Sequence, residues 1–475
     1  MHVGTFTDEG TFDGAIERLD HLRATGITAI ELLPVAEFGG RRGWGYDGVL
    51  LYCPHGVYGG HRGLKRLVDA AHERGLMVFL DVVYNHFGPD GNYIPSYLPD
   101  FFQSETHTPW GPAIAYDEPA VRAFMIENAL YWLEEYRVDG LRLDAIDSIH
   151  DTTDTPLVVE LAERVRAAFP DRHIHITSED ERNITRFIER GADGSIPLVS
   201  GEWNDDFHHA AHVLATNDRE GYYIDYEFDT VEQLATALAT GFIYQGEHSP
   251  HRDRDVGETS DHLPPTAFVN FLQNHDQIGN RALGERLTGL APPEAIDAAL
   301  AVTLLAPGPP LMFMGDEWGA REPFPFFCDF KGDLARAVRE GRRREFAQAY
   351  EKYRDEVPDP LAEATVRLAT LDWDARPKPW HAARLKLVRD LIAARKMHIT
   401  PRLPQLENGH GRARFDDGVL DAQWRFSSGE KLSLLANLSA QPQQRPHFLS
   451  GQPVWGGAPP DQLPPWSVFV SLGAS

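Results

Sequence analysis

The chain has 475 residues, two cysteines and a formal net charge of −26. The length suits one large catalytic domain plus a smaller one. The acidic balance argues against a nucleic-acid or anionic-membrane partner, which would want a basic face. Cys53 and Cys328 are far apart and lack C-x-x-C spacing. They read as two buried thiols in a reducing compartment, not as a disulfide framework or a zinc site. The opening "MHVGTFTDEG" has neither the basic start nor the apolar core of a signal peptide. Pro307, Pro309 and Pro310 cut the longest apolar stretch, 296–315, into helix, turn and buried strand. A cytoplasmic protein without a membrane partner is expected.

In chain order, short β-rich runs precede helical patterns. "HVGTF" (2–6) is the first predicted strand and "ITAIELLP" (27–34) the second. "GGHRGLKRLVDAAHERG" (59–75) has helical spacing and a Gly stop. "LMVFLDVV" (76–83) is apolar throughout, as a strand buried on both faces should be. Helix 118–136 leads into "VDGLRLDAI", and helix 155–169 into "HIHITSE" (173–179). "IPLVSGEW" (196–203) is a weaker sixth strand, followed by helix 229–242. "FVNFLQN" (268–274) and "PLMFMGDEW" (310–318) flank the helix "EAIDAALAVTLLA". Eight such units predict an α/β fold, a (β/α)8 TIM barrel. A doubly wound sheet usually has fewer strands and often a Gly-rich phosphate turn, and none follows the first strand. The catalytic barrel is expected over 1–399. It carries a short insertion after the third strand (84–117) and a charged helical insertion (321–378) whose "GRRRE" run reads as a solvated helix face. From 400 to 475, alternating strands and Pro/Gly turns predict a small antiparallel β domain.

A barrel forms its active site at the carboxyl ends of its strands. The third predicted strand ends on Asp81, Asn85 and His86, the fourth on Arg142 and Asp144, the fifth on Glu179, and the seventh on His275 and Asp276. The fourth and fifth strands should be parallel neighbours about 4.8 Å apart. Asp144 and Glu179 at their ends could then bring their carboxyls to about 5–5.5 Å, the separation of a retaining glycosidase. Asp276 would face them from across the barrel. Arg142, two residues from Asp144 and on the same strand face, would favour the ionised carboxylate that a nucleophile needs. Glu179, as general acid, should have a raised pKa.

The segments "DVVYNH" (81–86), "GLRLDAI" (140–146), "ITSEDE" with Glu179, and "NHD" (274–276) together resemble the motifs of the α-amylase family of glycoside hydrolases, family 13. The resemblance implies Asp144 as nucleophile, Glu179 as acid/base and Asp276 as transition-state stabiliser. It implies that Arg142, His86 and His275 contact the reacting sugar or the nucleophile, and that Tyr46 in "GWGYDGV" is the stacking tyrosine. Further segments, among them "EWNDDFHHAAH" (202–212), "FMGDEWGAREPF" (313–324) and "LPPWSVFVSL" (463–472), resemble the branch of the family that acts on maltooligosaccharides ending in trehalose. That implies cleavage of the α-1,4 bond next to the trehalose, and functional pairing with the synthase that makes this substrate. Members usually carry an N-terminal β-sandwich before the first barrel strand, where this sequence begins. A branching enzyme of the same family and a non-catalytic glucan-binding barrel are the rivals.

"NDDFHHAAH" is expected to line the sugar cleft through Asp205, Asp206 and one or two of His208, His209 and His212, or else to be a polar helix start capped by Asn204 or Asp205. His208 and His212 have i, i+4 spacing, but no third ligand is obvious, so no metal is expected. Neither is a cofactor. Trp44 and Trp203 could stack on glucose rings or pack. Asp316 and Glu317 in "GDEWG" are expected to make loop hydrogen bonds.

Overall fold

The computed structural model describes residues 1–108, 110–416, 418–447 and 449–474. Seven parallel strands form one sheet in chain order: β1 (Ala29–Leu32), β2 (Met77–Val82), β3 (Gly140–Leu143), β4 (His175–Ser178), β5 (Gly201–Trp203), β6 (Phe268–Phe271) and β7 (Pro310–Leu311). They are the second to eighth predicted strands, and the fold is of the TIM-barrel type. The helices α1 (Gly60–Glu73), α2 (Pro119–Glu135) and α3 (Leu157–Ala168) follow β1, β2 and β3; α4 (Asp205–Thr216) and α5 (Thr230–Thr240) both follow β5, and α6 (Pro293–Leu305) follows β6. Four-residue strands suffice because their side chains are buried on both faces, as in β3 and β6.

The first predicted strand is corrected. Val3–Phe6 form a single helical turn, with Val3, Thr5 and Phe6 buried. The strand propensity of Val, Thr and Phe yields to packing. The His2 ring bonds Thr5 Oγ1 and the Gly43 carbonyl, both at 2.9 Å, and anchors the turn. Residues 1 and 2 take the strand's place. Leu33 N–H donates to the Met1 carbonyl at 3.0 Å, and His2 N–H to Met314 Sδ at 3.4 Å. They thus bridge β1 and the segment after β7.

The excursion after β2 holds a short hairpin, Phe102–Thr108 with Gly111–Ile114. Within 321–378, α7 (Gly332–Glu345) leaves Arg343 and Arg344 exposed, while Arg342 donates to the Gly279 carbonyl at 2.9 Å. The helix α8 (Pro379–Ala394) leads to an antiparallel sheet of β8 (Leu406–Asp416), β9 (Val419–Phe426), β10 (Glu430–Asn437), β11 (Gln452–Trp455) and β12 (Ser467–Ala474), in the order β8-β9-β10-β12-β11. Its inner face shares a core with α4, α5, α6 and α8, so the two parts are continuous. Both cysteines are free, Cys328 buried and Cys53 half-buried. Among the described residues, no helix is long and apolar enough to cross a membrane.

Candidate active site

Arg142 organises the carboxyl rim. It lies on β3, and its side chain is 0 % exposed. Nη1 donates to both Asp81 oxygens at 2.9 Å and to Asp144 Oδ1 at 2.6 Å. Nη2 lies 2.6 Å from Glu179 Oε2 as an ion pair, at an angle that forms no hydrogen bond. One guanidinium therefore spans three carboxyls, and Asp144 and Glu179 sit within its reach of each other. The register β2–β3–β4 puts these groups side by side: Asp81 pairs with Arg142, and Arg142 with Thr177, two residues before Glu179. Beneath, the Trp203 ring lies 4.2 Å from the guanidinium carbon.

The residue after Asp144 is strained. Ala145 has φ 38° and ψ 59°, a left-handed conformation that costs a residue with Cβ roughly 1–3 kcal/mol. That turn aims the Ala145 N–H at Glu179 Oε2, 3.0 Å away. Asn85 Nδ2 donates to Asp144 Oδ2 and to the Asp144 carbonyl, both at 2.9 Å. His86 bonds Asn85 Oδ1 and, through Nε2, the Tyr46 carbonyl at 2.9 Å. Tyr46 donates to Asp81 Oδ2 at 2.6 Å, and its ring stacks on His275 at 5.1 Å.

Asp276 is delivered by a capping box. Asn274 Oδ1 accepts from Asp276 N at 2.8 Å, and Gln277 Oε1 accepts from Asn274 N at 3.0 Å. The short helix this starts ends at Gly279, where a Cβ would lie 1.8 Å from the Trp44 ring. Only glycine lets Trp44 pack there.

Burial raises several carboxyls of the rim. Burial pushes Glu179 well above the ordinary carboxylate range; Arg142 opposes the rise and Asp144, Asp276 and Asp205 add to it. Asp276 rises to about 6 through desolvation and Asp144, although 41 % of its side chain opens to the cleft. Burial lifts Asp81 to about 7 and Asp205 to about 7. Burial holds His275 and His86 below the usual imidazole range. Glu179, shifted toward its protonated form, stands next to Asp144, whose two oxygens accept from cationic and amide donors; acid-catalysed glycoside cleavage requires such a pair.

The geometry brings together Tyr46, Asp81, Asn85, His86, Arg142, Asp144, Glu179, Asp205, His275 and Asp276. It does not bring in three others. Asp206 accepts from Tyr226 Oη, Asn183 Nδ2 (2.9 Å), Ile243 N (2.6 Å) and Tyr244 N (3.1 Å), so its carboxylate is saturated and pins the segment after α5. Trp203 is buried under Arg142. Trp44 is buried, stacks on Phe324 at 5.2 Å and donates to the Pro325 carbonyl at 3.3 Å. Both tryptophans pack; their large apolar faces are taken by protein.

Asn204 is the helix cap, accepting from Phe207 N at 3.2 Å. His208 bonds the Leu272 carbonyl at 2.7 Å and Tyr223 Oη at 3.1 Å, and His212 stacks on Tyr223 at 4.2 Å. Among the described residues, no group of three metal-type ligands is placed to hold an ion. Asp316 accepts from Gln273 Nε2 (2.7 Å) and Phe313 N (3.1 Å), and Glu317 pairs with His21 at 3.1 Å, the loop bonding expected of "GDEWG".

Sequence reasoning missed two groups near the rim. Trp110, 47 % exposed, stacks on His86 at 4.7 Å. Tyr222, in the tyrosine-rich run "GYYIDY", lies within electrostatic reach of Asp276 and Asp205. The signal was composition alone, since neither lies at a strand end.

Glu202 was also missed. It is 0 % exposed, and both carboxyl oxygens are buried without a hydrogen-bond partner. Burial pushes it well above the usual range, Asp180, Asp205 and Asp147 add to this, and Arg182 opposes it. Such a group favours folding while protonated; that contribution is full below the unfolded pKa of about 4.3 and is lost as pH rises toward the folded value. Glu202→Gln cannot ionise. Its melting temperature should therefore exceed the parent's by a margin that grows from pH 5 to pH 9. A margin independent of pH would rule out ionisation as the cause.

A parallel barrel whose carboxyl rim holds an acid, a clamped carboxylate and a third acidic group defines the class of glycoside hydrolases. The family profile described as "Alpha amylase, catalytic domain" matches residues 3–110 and 101–383, and "Domain of unknown function (DUF3459)" matches 407–470. The malto-oligosyltrehalose trehalohydrolase of Deinococcus radiodurans is 42 % identical over 443 residues, covering 92 % of this chain and 71 % of its own. That of Mycobacterium tuberculosis is 39 % identical over 450 residues, covering 93 % and 76 %. The crystal structure of a Salmonella typhimurium protein named for alpha amylase superposes with a TM-score of 0.95 at 48 % identity, covering all of this chain and 81 % of that one. The chain belongs to the alpha-amylase family of glycoside hydrolases, in the group of the malto-oligosyltrehalose trehalohydrolases.

Proposed function

We propose that this protein hydrolyses the α-1,4-glucosidic bond next to the terminal trehalose of maltooligosyltrehalose, releasing trehalose by a retaining double displacement. The observation that carries the reading is the Arg142 clamp, which sets Asp144 and Glu179 on one guanidinium. Glu179 protonates the glycosidic oxygen as Asp144 attacks the anomeric carbon; trehalose leaves and a glycosyl ester forms on Asp144. Glu179, now ionised, takes a proton from water, which attacks the same carbon and frees Asp144. Asp276 stabilises the oxocarbenium-like transition state. Tyr46 and His275 form a stacked platform below the reacting ring, with Asp81, Asn85 and His86 on its hydroxyl side. In this reading 1–399 is the catalytic barrel and 400–475 its supporting β domain. The enzyme works downstream of a maltooligosyltrehalose synthase, in a cytoplasm with whose reducing conditions the unpaired thiols agree.

The test is product analysis on maltooligosyltrehalose, plain maltooligosaccharide and amylose. Free trehalose as the main product of the first is the expected result. New α-1,6 branches on amylose, or binding of all three without products, would overturn it.

A further inference from the structure

The cleft has two unlike sides. Asn85, His86, Asp81 and Tyr46 crowd Asp144, the side of the sugar that becomes bonded to the enzyme. Asp205 belongs to the other side, beside the short helix that carries Asp276 and Gln277, and its own carboxyl is pushed up by burial and Asp276. Its one side-chain bond is a long one, 3.3 Å from Gln277 Nε2.

His209 follows Asp205 by four residues on α4. Residues i and i+4 share a helix face, about 6 Å apart along the axis, on the order of one pyranose ring. The His209 ring is 8 % exposed and makes no hydrogen bond. Nδ1 is buried without a partner, so Nε2 is the nitrogen that reaches the surface. The rings of Tyr222 (4.6 Å) and Tyr226 (4.9 Å) fix its plane. Burial, with His212, Arg252 and His251 nearby, lowers its pKa to about 3, so it is a neutral imidazole whose Nε2 donates or accepts according to the tautomer. An idle polar ring costs stability unless something bonds it. Tyr222 is half-buried beside it, and the charges of Asp205 and Asp276 act on its hydroxyl.

We infer that His209, with Tyr222, recognises the second sugar of the leaving group, the α,α-1,1-linked glucose of trehalose, while Asp205 bonds the first. The two disaccharides differ in that second ring: a maltose unit is joined 1,4, whereas trehalose is joined through both anomeric carbons and presents other hydroxyls. His209 and Tyr222 are then specificity-determining residues. This rests on the function proposed above.

The test compares kcat/KM of the full chain on maltooligosyltrehalose and on a plain maltooligosaccharide of equal length. His209→Ala should lower the ratio of the two at least about tenfold, because a site built to bond a hydroxyl loses its discrimination with the bond. Inhibition by trehalose should weaken by a similar factor. Tyr222→Phe, which removes only a hydroxyl, should lower the ratio severalfold, and it carries the test if His209→Ala does not fold. An unchanged ratio, whether both substrates slow equally or neither does, overturns the inference. Trehalose release by the parent with that unchanged ratio rejects this inference alone. No trehalose from the parent rejects the function and this inference together.

Discussion

Asp144→Asn should lower kcat by at least about 10⁴-fold while leaving the fold and sugar binding in place. The amide cannot attack the anomeric carbon, and Asp144 is the carboxylate that Arg142 and Asn85 hold together. Its Oδ1 accepts from Arg142 Nη1 at 2.6 Å and its Oδ2 from Asn85 Nδ2 at 2.9 Å. In the variant the carbonyl oxygen keeps Arg142, and the new amide meets the Asn85 amide donor to donor, a local cost of about 1–3 kcal/mol. Circular dichroism and a maltooligosaccharide binding isotherm should therefore resemble the parent's. Near-normal turnover would remove Asp144 from the mechanism.

Arg142→Met should unfold more easily by about 3–5 kcal/mol at pH 7, the cost of leaving buried carboxylates without their cation. Asp81, Asp144 and Glu179 all face the lost guanidinium. Burial already lifts Asp81 to about 7 and pushes Glu179 well up, and Arg142 opposes both shifts. Without it their folded pKa values rise further. Groups so shifted favour folding below their unfolded values near 4, and that contribution is lost as pH rises. The variant's deficit in urea unfolding should be larger at pH 7 than at pH 5. An equal deficit at both would mean that packing over Trp203, not charge, is what the arginine supplies. Turnover should be lost at either pH, since the same cation holds Asp144 and Glu179, the proposed nucleophile and acid.

The parallel barrel was legible because doubly buried strands leave apolar runs that end in charge. The runs ending in Asp81, Arg142, Glu179 and Asp276 needed no tertiary information. The segment 2–6 was misread because β-propensity records only average packing. Here His2 ties the turn to Gly43, and residues 1 and 2 alone take the strand position. Side-chain direction was the other limit. Asp205 and Asp206 look alike in "WNDDF", yet one faces the cleft and the other is filled by four bonds from distant segments. Trp44 and Trp203 had the chemistry for sugar stacking, but Phe324 and Arg142 occupy their faces. The strain at Ala145 left no mark, since alanine ordinarily avoids that conformation.

The division of labour between Asp144 and Glu179 can be tested by trapping. Glu179→Gln treated with a 5-fluoro-α-glucosyl fluoride needs no acid to expel fluoride, but it lacks the base that would speed water's attack on the ester. The intermediate should accumulate, raising the intact mass by one glycosyl unit, and peptide mapping should place it on Asp144. Fluoride release without an adduct, or an adduct on Asp276 or Asp147, would contradict the mechanism.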